Sequence, residues 1–465
     1  MTQIARHPKL QDLARSFDEA GHRLYLVGGT VRDRLLGRPD VDIDLTTDAV
    51  PTTIKALIGK HGPTTIYTVG EEFGTIGVLF DDLKLEVTTF RSEIYRKRSR
   101  RPDVQFGTSL RDDLARRDYT INAIAEDVLS GDLIDPFDGL GDLERRLIRA
   151  VGEPAERFDE DPLRMLRGVR LAVQTGFTIE PPTRVAIAVA AESITTISRE
   201  RISDELNKIL LSPRPARGIR TLADLNLLAW IIPSVLELRV VNQGLRTKDV
   251  FEHTMIVLDR TPADLPTRWA ALLHDIAKPR TMVVENGEAS FPGHERVGEQ
   301  MARDILIGLR IDSRTAASVA RLVGMHMRAN HFDESWTDGA VRRLIRDASD
   351  DLERVFSLAA ADVSSARPAR IEAAEQRVRQ LRYRSERLQA EENVQSLASP
   401  LDGNELMQLF GRKPGPWIRE VKAYLLALVI DGEILPDDRQ EAIRRAAALL
   451  GTEPAVPPIA TPDSK

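Results

Sequence analysis

The segment Tyr25–Thr47 constrains the fold of this chain more than any other feature. It begins with an apolar run that stops at Gly28 and Gly29, as a buried strand stops at a turn. One or two helical turns follow, and then apolar residues alternate with Asp42 and Asp44. Side chains two apart on a strand share a face, so the two carboxylates should point the same way. The segment therefore predicts a strand, a glycine turn, a short helix and a second strand that presents two acids.

The two aspartates predict a magnesium site. Two carboxylates a few ångströms apart repel each other unless a cation lies between them. Mg²⁺ takes one or two carboxylates and fills its other positions with water and substrate phosphate oxygens. The glycines let the backbone approach those phosphates, and Arg32 is spaced to donate charge-assisted hydrogen bonds to them. An Asp-x-Asp pattern alone is more often a solvated strand face, but this combination favours a nucleotidyltransferase active site.

Four further motifs follow the first one along the chain. They lie at Arg116–Ala123, Asp135–Leu143, Glu160–Arg164 and from Arg199 onwards. With the first motif they resemble the class II tRNA nucleotidyltransferase family, which contains the CCA-adding enzymes and the bacterial poly(A) polymerases. The resemblance covers most of residues 20–365 and implies a polymerase-beta-like N-terminal domain. It also implies template-free addition of C, C and A to the 3′ end of tRNA from CTP and ATP, by two-metal transfer that releases pyrophosphate.

The second motif supplies candidate nucleotide ligands. Asp118 and Asn122, four residues apart, are predicted to share a helical face with Arg117 beside them. In the family this motif acts near the ribose of the incoming nucleotide. The full set of predicted nucleotide-binding residues is Gly28, Gly29, Arg32, Arg117, Asp118, Asn122, Asp161, Arg164 and Arg167.

The fourth motif offers a way to choose the base. Asp161 and Arg164, three residues apart, are predicted to share a helical face, with Arg167 one step further. A carboxylate accepts from the amino group of C or A, and a guanidinium donates to the neighbouring ring nitrogen, whereas U and G present the reverse pattern. The resemblance assigns this role to Asp161 and Arg164. The alternative interpretation is an ordinary intrahelical ion pair between them.

Glu86 is a candidate third carboxylate of the same site. The pattern Leu83–Thr89 alternates and places Glu86 on the polar face of a strand. In a mixed sheet this strand could lie beside the aspartate strand, although any surface strand carries such a residue. The predicted catalytic set is therefore Asp42, Asp44 and Glu86, with Mg²⁺ held by the two aspartates.

Histidines cluster in a second region, because five of the eight lie between residues 253 and 331. The candidate metal ligands are His253, His274, Asp275, His294, His326 and Asp362. The order of the first three and the last resembles the HD phosphohydrolase superfamily, and His294 and His326 would complete a second metal position. Imidazole and carboxylate ligands without thiolate suit Ni²⁺, Mn²⁺, Fe²⁺ or Mg²⁺. The alternative interpretation is a degenerate HD scaffold that serves as a tRNA-binding body.

Composition narrows the class of protein further. Hydrophobic residues are 42% and charged residues 29% of the chain, which is typical of soluble globular proteins. No apolar run is long enough to span a membrane, and the N-terminus lacks an apolar signal core, so a cytoplasmic location is expected. The absence of cysteine excludes disulfides and thiolate metal sites. The net charge of −6 is unlike that of most nucleic-acid binders, but basic residues concentrate in Arg96–Arg101 and Arg367–Arg387, each of which also fits a solvated loop or helix face.

The predicted fold is α+β, a mixed nucleotidyltransferase sheet with helices, followed by an all-α neck and body that contains an HD domain. The predicted segments are the head (1–150), a helical neck for RNA binding and base selection (151–245), the HD domain (246–365), a C-terminal helical region (366–451) and a disordered tail (452–465). The sequence leaves the oligomeric state open.

Three alternatives to CCA addition remain at this stage. Poly(A) polymerases of the family tend to carry a basic run near residue 70, whereas Val69–Thr75 is acidic here, which favours CCA addition. An enzyme that adds only the final A, after a separate CC-adding enzyme, fits the same motifs. An HD phosphohydrolase with a vestigial nucleotidyltransferase domain is disfavoured by the intact pair Asp42 and Asp44.

Overall fold

The computed structural model describes residues 7–39, 43–81, 83–94, 103–107, 109–239, 249–286, 288–363, 368–391 and 397–454. Asp42, a predicted catalytic residue, and the basic run Arg96–Arg101 lie outside the described residues. So does most of the tail that was predicted to be disordered. The chain divides into two compact units, residues 1–236 and 237–465, and the finer division into five segments stays a prediction.

The first unit contains a mixed sheet. The described strands of this unit are β1 (Leu24–Val27), β2 (Ile43–Thr47), β3 (Thr65–Tyr67), β4 (Thr75–Phe80), β5 (Leu83–Thr89), β6 (Arg91–Ile94), β7 (Asp103–Phe106), β8 (Ala125–Asp127), β9 (Leu133–Ile134), β10 (Leu147–Ile148) and β11 (Thr178–Ile179). The sheet order is β3-β4-β5-β2-β1-β8-β9. Strands β2 and β5 are parallel, and the other neighbours are antiparallel. The predicted adjacency of the aspartate strand and the Glu86 strand is confirmed.

Three helices accompany this sheet. They are α1 (Pro8–Glu19), α2 (Gly29–Leu35) and α3 (Pro51–Gly59). Both α1 and α3 begin with proline, whose fixed φ suits a first helical turn. Leu10, Leu13 and Phe17 recur at helical spacing on α1 and are fully buried, in a core that also contains Leu26 and Leu45. Each such side chain contributes about 1.5–3 kcal/mol by leaving water, so this core holds the sheet in place beneath the site.

The remainder of the first unit is mostly helical. Its helices are α4 (Leu110–Ala115), α5 (Gly139–Arg145), α6 (Pro154–Glu160), α7 (Leu163–Thr175), α8 (Pro181–Ala190), α9 (Arg199–Leu210), α10 (Pro215–Asp224), α11 (Leu227–Ile231) and α12 (Pro233–Glu237). Gly218 on α10 lies so close to α9 that a Cβ there would be 2.4 Å from Cγ2 of Ile209. The helices of the predicted neck are therefore closely packed.

The second motif does not form the helix that the spacing of Asp118 and Asn122 predicts. Helix α4 ends at Ala115, and Tyr119 is extended (φ −133°, ψ 146°) before a 3₁₀ turn over Thr120–Asn122. Tyr119 forms a β-bridge with Ala150 and is fully buried. Tertiary contacts on all sides therefore override the helical preference of this segment, and Asp118 and Asn122 do not share a helical face.

The helical backbone of the fourth motif is interrupted at Asp161. Helix α6 ends at Glu160, Asp161 is extended (φ −144°, ψ 99°), and α7 begins at Leu163. The reason is Pro162, because a proline ring disfavours helical backbone in the residue before it. The prediction that Asp161 and Arg164 lie on one helical face is therefore wrong.

The second unit is helical apart from one hairpin, as far as it is described. Its elements are α13 (Val250–Arg260), α14 (Leu265–Leu273), α15 (Lys278–Thr281), β12 (Val283–Glu285), β13 (Glu288–Ser290), α16 (His294–Gly308), α17 (Ser313–Asn330), α18 (Asp338–Ala348), α19 (Leu352–Ala361), α20 (Pro368–Glu391), α21 (Gly403–Phe410), α22 (Pro416–Asp431) and α23 (Arg439–Leu450). Helix α20 lies in the predicted C-terminal helical region and contains most of the basic stretch Arg367–Arg387. Among the described residues, no helix has both the length and the apolar character needed to cross a bilayer.

Candidate active site and metal centre

Two carboxylates lie side by side on one face of the mixed sheet. Asp44 on β2 pairs in register with Glu86 on β5, and parallel neighbours in register present their side chains on the same face. The backbone N–H of Asp44 donates to Oγ1 of Thr30 on α2 at 2.9 Å, which fixes the glycine turn against the strand. Oxygen ligands of this kind are those that Mg²⁺ prefers. The donor set therefore fits Mg²⁺, with Asp42 outside the described residues.

The glycine turn lies between the side chains of Asp44 and Arg117. Gly28 has φ +68°, a conformation that residues with a Cβ rarely adopt. A Cβ on Gly28 would lie 3.0 Å from Nη1 of Arg117 and 3.7 Å from Oδ2 of Asp44. Arg117 and Asp44 are far apart in sequence, and the structure brings both to the bare backbone of this turn. A positive group and a negative group therefore flank the place where the sequence predicts a triphosphate.

A chain of hydrogen bonds connects the turn to helix α7. Arg32 donates to Oδ1 of Asn122 at 2.7 Å, and Nδ2 of Asn122 donates to Oδ1 of Asp118 at 3.0 Å. Nε of Arg167 donates to the other oxygen of Asp118 at 2.7 Å. Burial would raise the pKa of Asp118, but Arg167 and the bond from Asn122 outweigh burial and hold the pKa far below its usual range. Asp118 is therefore a permanent carboxylate that orients residues from the first, second and fourth motifs.

The base-selecting candidates have partners that the sequence did not predict. Arg164 donates to Glu160 at 2.8 Å and to the backbone carbonyl of Arg116 at 2.9 Å. Asp161 accepts from the backbone N–H of Leu163 at 3.0 Å and from Arg201 at 2.8 Å. The ion pair between Asp161 and Arg164 that was the alternative interpretation is replaced by these contacts.

Asp113 is a buried acid that sequence reasoning missed. Its side chain has no exposed surface, and it accepts from Arg116 at 2.6 Å and from Arg117 at 3.3 Å. Burial would raise its pKa, but Arg117 and Arg116 hold the pKa below its usual range. The signal was present, because Asp113 precedes Arg116 and Arg117 by the three and four residues of a helical ion pair. Glu160, four residues before Arg164, carries the same signal.

The predicted HD residues converge on one buried cluster in the second unit. Nε2 of His253 lies 2.9 Å from Oδ1 of Asp362, and Nε2 of His274 lies 3.5 Å from the same oxygen. The Nε2 atoms of His253 and His274 are 3.2 Å apart. These three residues offer ligand atoms close enough to hold one metal ion.

A second group of possible ligands adjoins the first one. It consists of Asp275, His294 and His326, with the Nε2 atoms of the two histidines 3.3 Å apart. Oδ1 of Asp275 lies 3.5 Å from Nε2 of His294, whereas its Oδ2 lies 3.2 Å from Nε2 of His274. One carboxylate therefore presents an oxygen to each group, as a ligand that bridges two metal ions would.

Backbone contacts aim the histidines inward. Nδ1 of His274, His294 and His326 lies 2.7–2.8 Å from a backbone carbonyl of the preceding turn. A carbonyl only accepts, so Nδ1 carries the hydrogen and Nε2 points into the cluster, as in metal sites. Burial alone would lower the pKa of His274, but Asp275 and Asp362 raise it to about 10. Burial and the neighbouring His274 lower the pKa of His326 to about 4. Imidazoles and carboxylates that are buried and this close together are suited to binding a divalent cation.

The predicted basic cluster on α20 is largely ion-paired where it is described. Arg382 lies 3.0 Å from Glu353, and Arg384 and Arg387 both contact Asp338. These contacts favour a solvated, salt-bridged helix face for most of the cluster.

Comparisons with known proteins agree with this division of the chain. The family model of the poly A polymerase head domain matches residues 24–149. The model described as "Probable RNA and SrmB- binding site of polymerase A" matches residues 176–238, and the HD domain matches residues 250–367. The matched segments contain the glycine turn with Asp44 and the histidine cluster. The fold and the two sites define a nucleotidyltransferase joined to an HD domain.

Named relatives make the family more specific. The chain is 34% identical over 442 residues to an A-adding tRNA nucleotidyltransferase of Deinococcus radiodurans, covering 91% of this chain and 95% of the relative. A CCA-adding enzyme of Lactobacillus johnsonii is 47% identical over 214 residues, so that match spans 46% of this chain and about half (52%) of the relative. The solved CCA-adding enzyme of Bacillus stearothermophilus, in complex with CTP, superposes with a TM-score of 0.72 and 27% identity over 96% of this chain and 99% of that one. The chain belongs to the family of the CCA-adding and A-adding tRNA nucleotidyltransferases.

Proposed function

We propose that this protein adds C, C and A to the 3′ end of tRNA, using CTP and ATP without a nucleic-acid template. The observation that carries the proposal is the convergence of the Gly28 turn, Asp44, Arg117 and the hydrogen-bonded chain from Arg32 to Arg167 in one unit. The similar proteins are CCA-adding enzymes, one of them solved in complex with CTP, and an A-adding tRNA nucleotidyltransferase, which supports these substrates here. A cytoplasmic location stays a prediction from the N-terminal pattern.

The chemistry follows from the charges around the glycine turn. In the proposed reaction the tRNA 3′-hydroxyl oxygen attacks the α-phosphorus and loses its proton to solvent, a new phosphodiester forms, and the bond from the α-phosphorus to pyrophosphate breaks. Asp44 and Glu86, with Asp42 as a further predicted ligand, would hold Mg²⁺, which when bound supplies positive charge to the reacting oxygens. Two metal ions at the aspartates stay a prediction. Arg32 and Arg117 are positioned to donate to the phosphates, because both lie at the bare backbone of Gly28 and Gly29.

The residues proposed to select the base, Asp161 and Arg164, lie just before and in the first turn of α7. Arg164 is held by Glu160 and by the carbonyl of Arg116, and Asp161 is held by Arg201. A carboxylate and a guanidinium that are both fixed can pair with the amino group and ring nitrogen of C or A. U and G would set a donor against the guanidinium and an acceptor against the carboxylate, which costs binding energy. The same pair can therefore accept two nucleotides and reject two.

An incorporation assay tests this proposal. tRNA that lacks its last three nucleotides should gain two C from CTP alone, and the final A should appear only when CTP and ATP are both present. Long A tracts would instead mean poly(A) polymerase activity, and no incorporation on any tRNA would overturn the proposal.

Addition of only the final A is the second candidate, because the relative with 95% coverage is an A-adding enzyme. In that case ATP should extend a tRNA that already ends in CC, whereas a tRNA that lacks all three nucleotides should not be extended. The two substrates, assayed side by side, separate the candidates.

A separate proposal concerns the second unit. We infer that the two groups of ligands around Asp275 hold a pair of divalent cations and catalyse hydrolysis of a phosphate ester. The paired Nε2 atoms at 3.2 and 3.3 Å support this, because lone pairs aimed at one another repel unless a proton or cation lies between them. Which of Ni²⁺, Mn²⁺, Fe²⁺ or Mg²⁺ binds stays open to measurement. Hydrolysis of a phosphomonoester or a cyclic phosphodiester with each ion tests it, and inactivity with all four would favour the degenerate tRNA-binding scaffold.

A further inference from the structure

A tyrosine hydroxyl is buried against the helix that carries the base-selecting arginine. The side chain of Tyr119 has no exposed surface, and its hydroxyl donates to the backbone carbonyl of Arg164 at 2.7 Å. Burial raises the pKa of Tyr119, so the hydroxyl stays protonated and remains a donor. The contact joins the second motif directly to the first turn of α7.

Gly168 makes room for this hydroxyl. It lies in the interior of α7, where glycine is a poorer helix former than alanine. A Cβ on Gly168 would lie 2.2 Å from the hydroxyl oxygen of Tyr119 and 2.8 Å from its Cζ. The tyrosine cannot easily withdraw, because its backbone is bridged to Ala150. The hydroxyl therefore occupies the space that alanine would fill, and α7 can approach the second motif only with glycine here.

The neighbouring hydrogen bonds show which residues depend on the close approach of α7 to the second motif. Arg164 donates to the carbonyl of Arg116, and Arg167 donates to Asp118, the residue before Tyr119. Both bonds run from α7 to the segment 116–119, so a displacement of α7 from this segment would disturb both. A site that reads hydrogen-bond patterns must be held to within about 0.5 Å. The position of Arg164 relative to the nucleotide therefore depends on how α7 seats on Tyr119.

We propose that Tyr119 and Gly168 form a positioning pair that sets the base selectivity of the nucleotide site. The pair acts through Arg164 and touches neither the nucleotide nor the metal. This inference rests on the proposed function, in which Arg164 helps to distinguish C and A from U and G.

Two single variants and their combination test the pair. The measured quantity is the ratio of kcat/KM for CTP and ATP to that for UTP and GTP on tRNA substrates. Tyr119→Phe removes one hydrogen bond and should lower the ratio about two- to tenfold. Gly168→Ala forces the helix away from the tyrosine and should lower the ratio about tenfold or more.

The double variant distinguishes a loss of positioning by the pair from a general loss of stability. Phenylalanine at 119 removes the atom nearest to the new Cβ, and only the contact to Cζ remains to be relieved. The double variant should therefore be more selective than Gly168→Ala alone. A double variant that is equally or less selective than Gly168→Ala would overturn the proposal.

Two controls complete the experiment. Val173→Ala removes buried volume from the same helix and should lower the melting temperature while leaving the ratio unchanged. Gly59→Ala places a methyl group on another helical glycine, where nothing lies within 4 Å of the new Cβ. It should change neither the melting temperature nor the ratio. A wild-type protein that incorporates all four nucleotides equally would overturn the proposed function itself. A selective wild type with fully selective Tyr119→Phe and Gly168→Ala variants would overturn only the positioning pair.

Discussion

The nucleotidyltransferase site and the histidine cluster organise charge in opposite ways. In the first unit, buried acids such as Asp113 and Asp118 hold arginines at the glycine turn and on α7. In the second unit, imidazole nitrogens and carboxylate oxygens point at one another across 2.9–3.5 Å. The first arrangement leaves guanidinium groups ready for an anion, whereas the second concentrates lone pairs around a place for a cation.

The difference shows which part of each site depends on its ligand. The arginines of the first site are already paired with protein carboxylates, so the framework stands without nucleotide. The histidine cluster contains close contacts between like atoms, and these become favourable only when a proton or a metal ion lies between them. We therefore expect ligand binding to change activity most in the first unit and stability most in the second.

The largest expected effect is at Asp44. Asp44→Ala should reduce incorporation of both C and A by about a hundredfold to a thousandfold or more, because it removes charge at the reacting phosphate. The side chain lies on the polar face of β2, so the melting temperature should change little. Asp42→Ala should behave in the same way. The exposed Glu72→Ala is the control, and near-normal activity of Asp44→Ala would remove the catalytic assignment.

The second-largest expected effect concerns metal binding by the histidine cluster of the second unit. Mn²⁺ or Ni²⁺ at a hundred times its dissociation constant should stabilise the wild-type protein by about 2.7 kcal/mol. Changing His274 and Asp275 to Ala should abolish this metal-dependent shift in thermal denaturation, together with any phosphohydrolase activity, and should spare nucleotide addition. His331→Ala, which changes a histidine outside the cluster, should keep the shift. A metal-dependent shift that persists in the double variant would place the metal elsewhere.

A smaller effect is expected from Asp161→Ala. Loss of the acceptor should weaken discrimination against UTP and GTP by about 1–3 kcal/mol and slow the addition of C and A. An ion-pairing role alone would instead cost about 0.2–0.5 kcal/mol of stability with selectivity unchanged. Incorporation of all four nucleotides decides between them, with the exposed Asp159→Ala on α6 as the matched control.

The smallest expected effect concerns an ion pair on the surface, outside both sites. Arg328 contacts Asp347 at 2.6 Å, and both side chains are partly exposed although Arg328 is only two residues from His326. Arg328→Ala should cost about 0–1 kcal/mol of stability, with metal-induced stabilisation unchanged. Chemical denaturation with and without Mn²⁺ measures both quantities. A loss of the metal effect would mean that the cluster extends to the surface.

Local patterns predicted much of this architecture. The strand Leu83–Thr89 has the bounds that its alternation indicates, and the strand Leu24–Val27 ends directly before the glycines of the turn, as the apolar run indicates. Register placed Glu86 beside Asp44, as the alternation required once the strands were neighbours. These features depend on periods of two and 3.6 residues, which a sequence displays directly.

Local patterns failed to predict the backbone at two positions in the site motifs. Tyr119 is extended because it bridges to Ala150, and Asp161 leaves the helix because Pro162 follows it. The second of these was readable in the sequence, whereas the first depended on a partner about thirty residues away. The hydrogen bonds from Arg164 to the carbonyl of Arg116 and from Arg167 to Asp118 likewise emerged only when α7 packed against the segment that follows α4.

The order and spacing of the acids, glycines and histidines were enough to indicate two kinds of chemistry. Which of these groups meet became visible only in the folded chain. Asp275 turns one oxygen to each histidine pair, and Tyr119 fits the space left by Gly168. The physical reason is that these contacts join residues far apart in the chain, and their distances follow from the packing of whole helices rather than from any local preference.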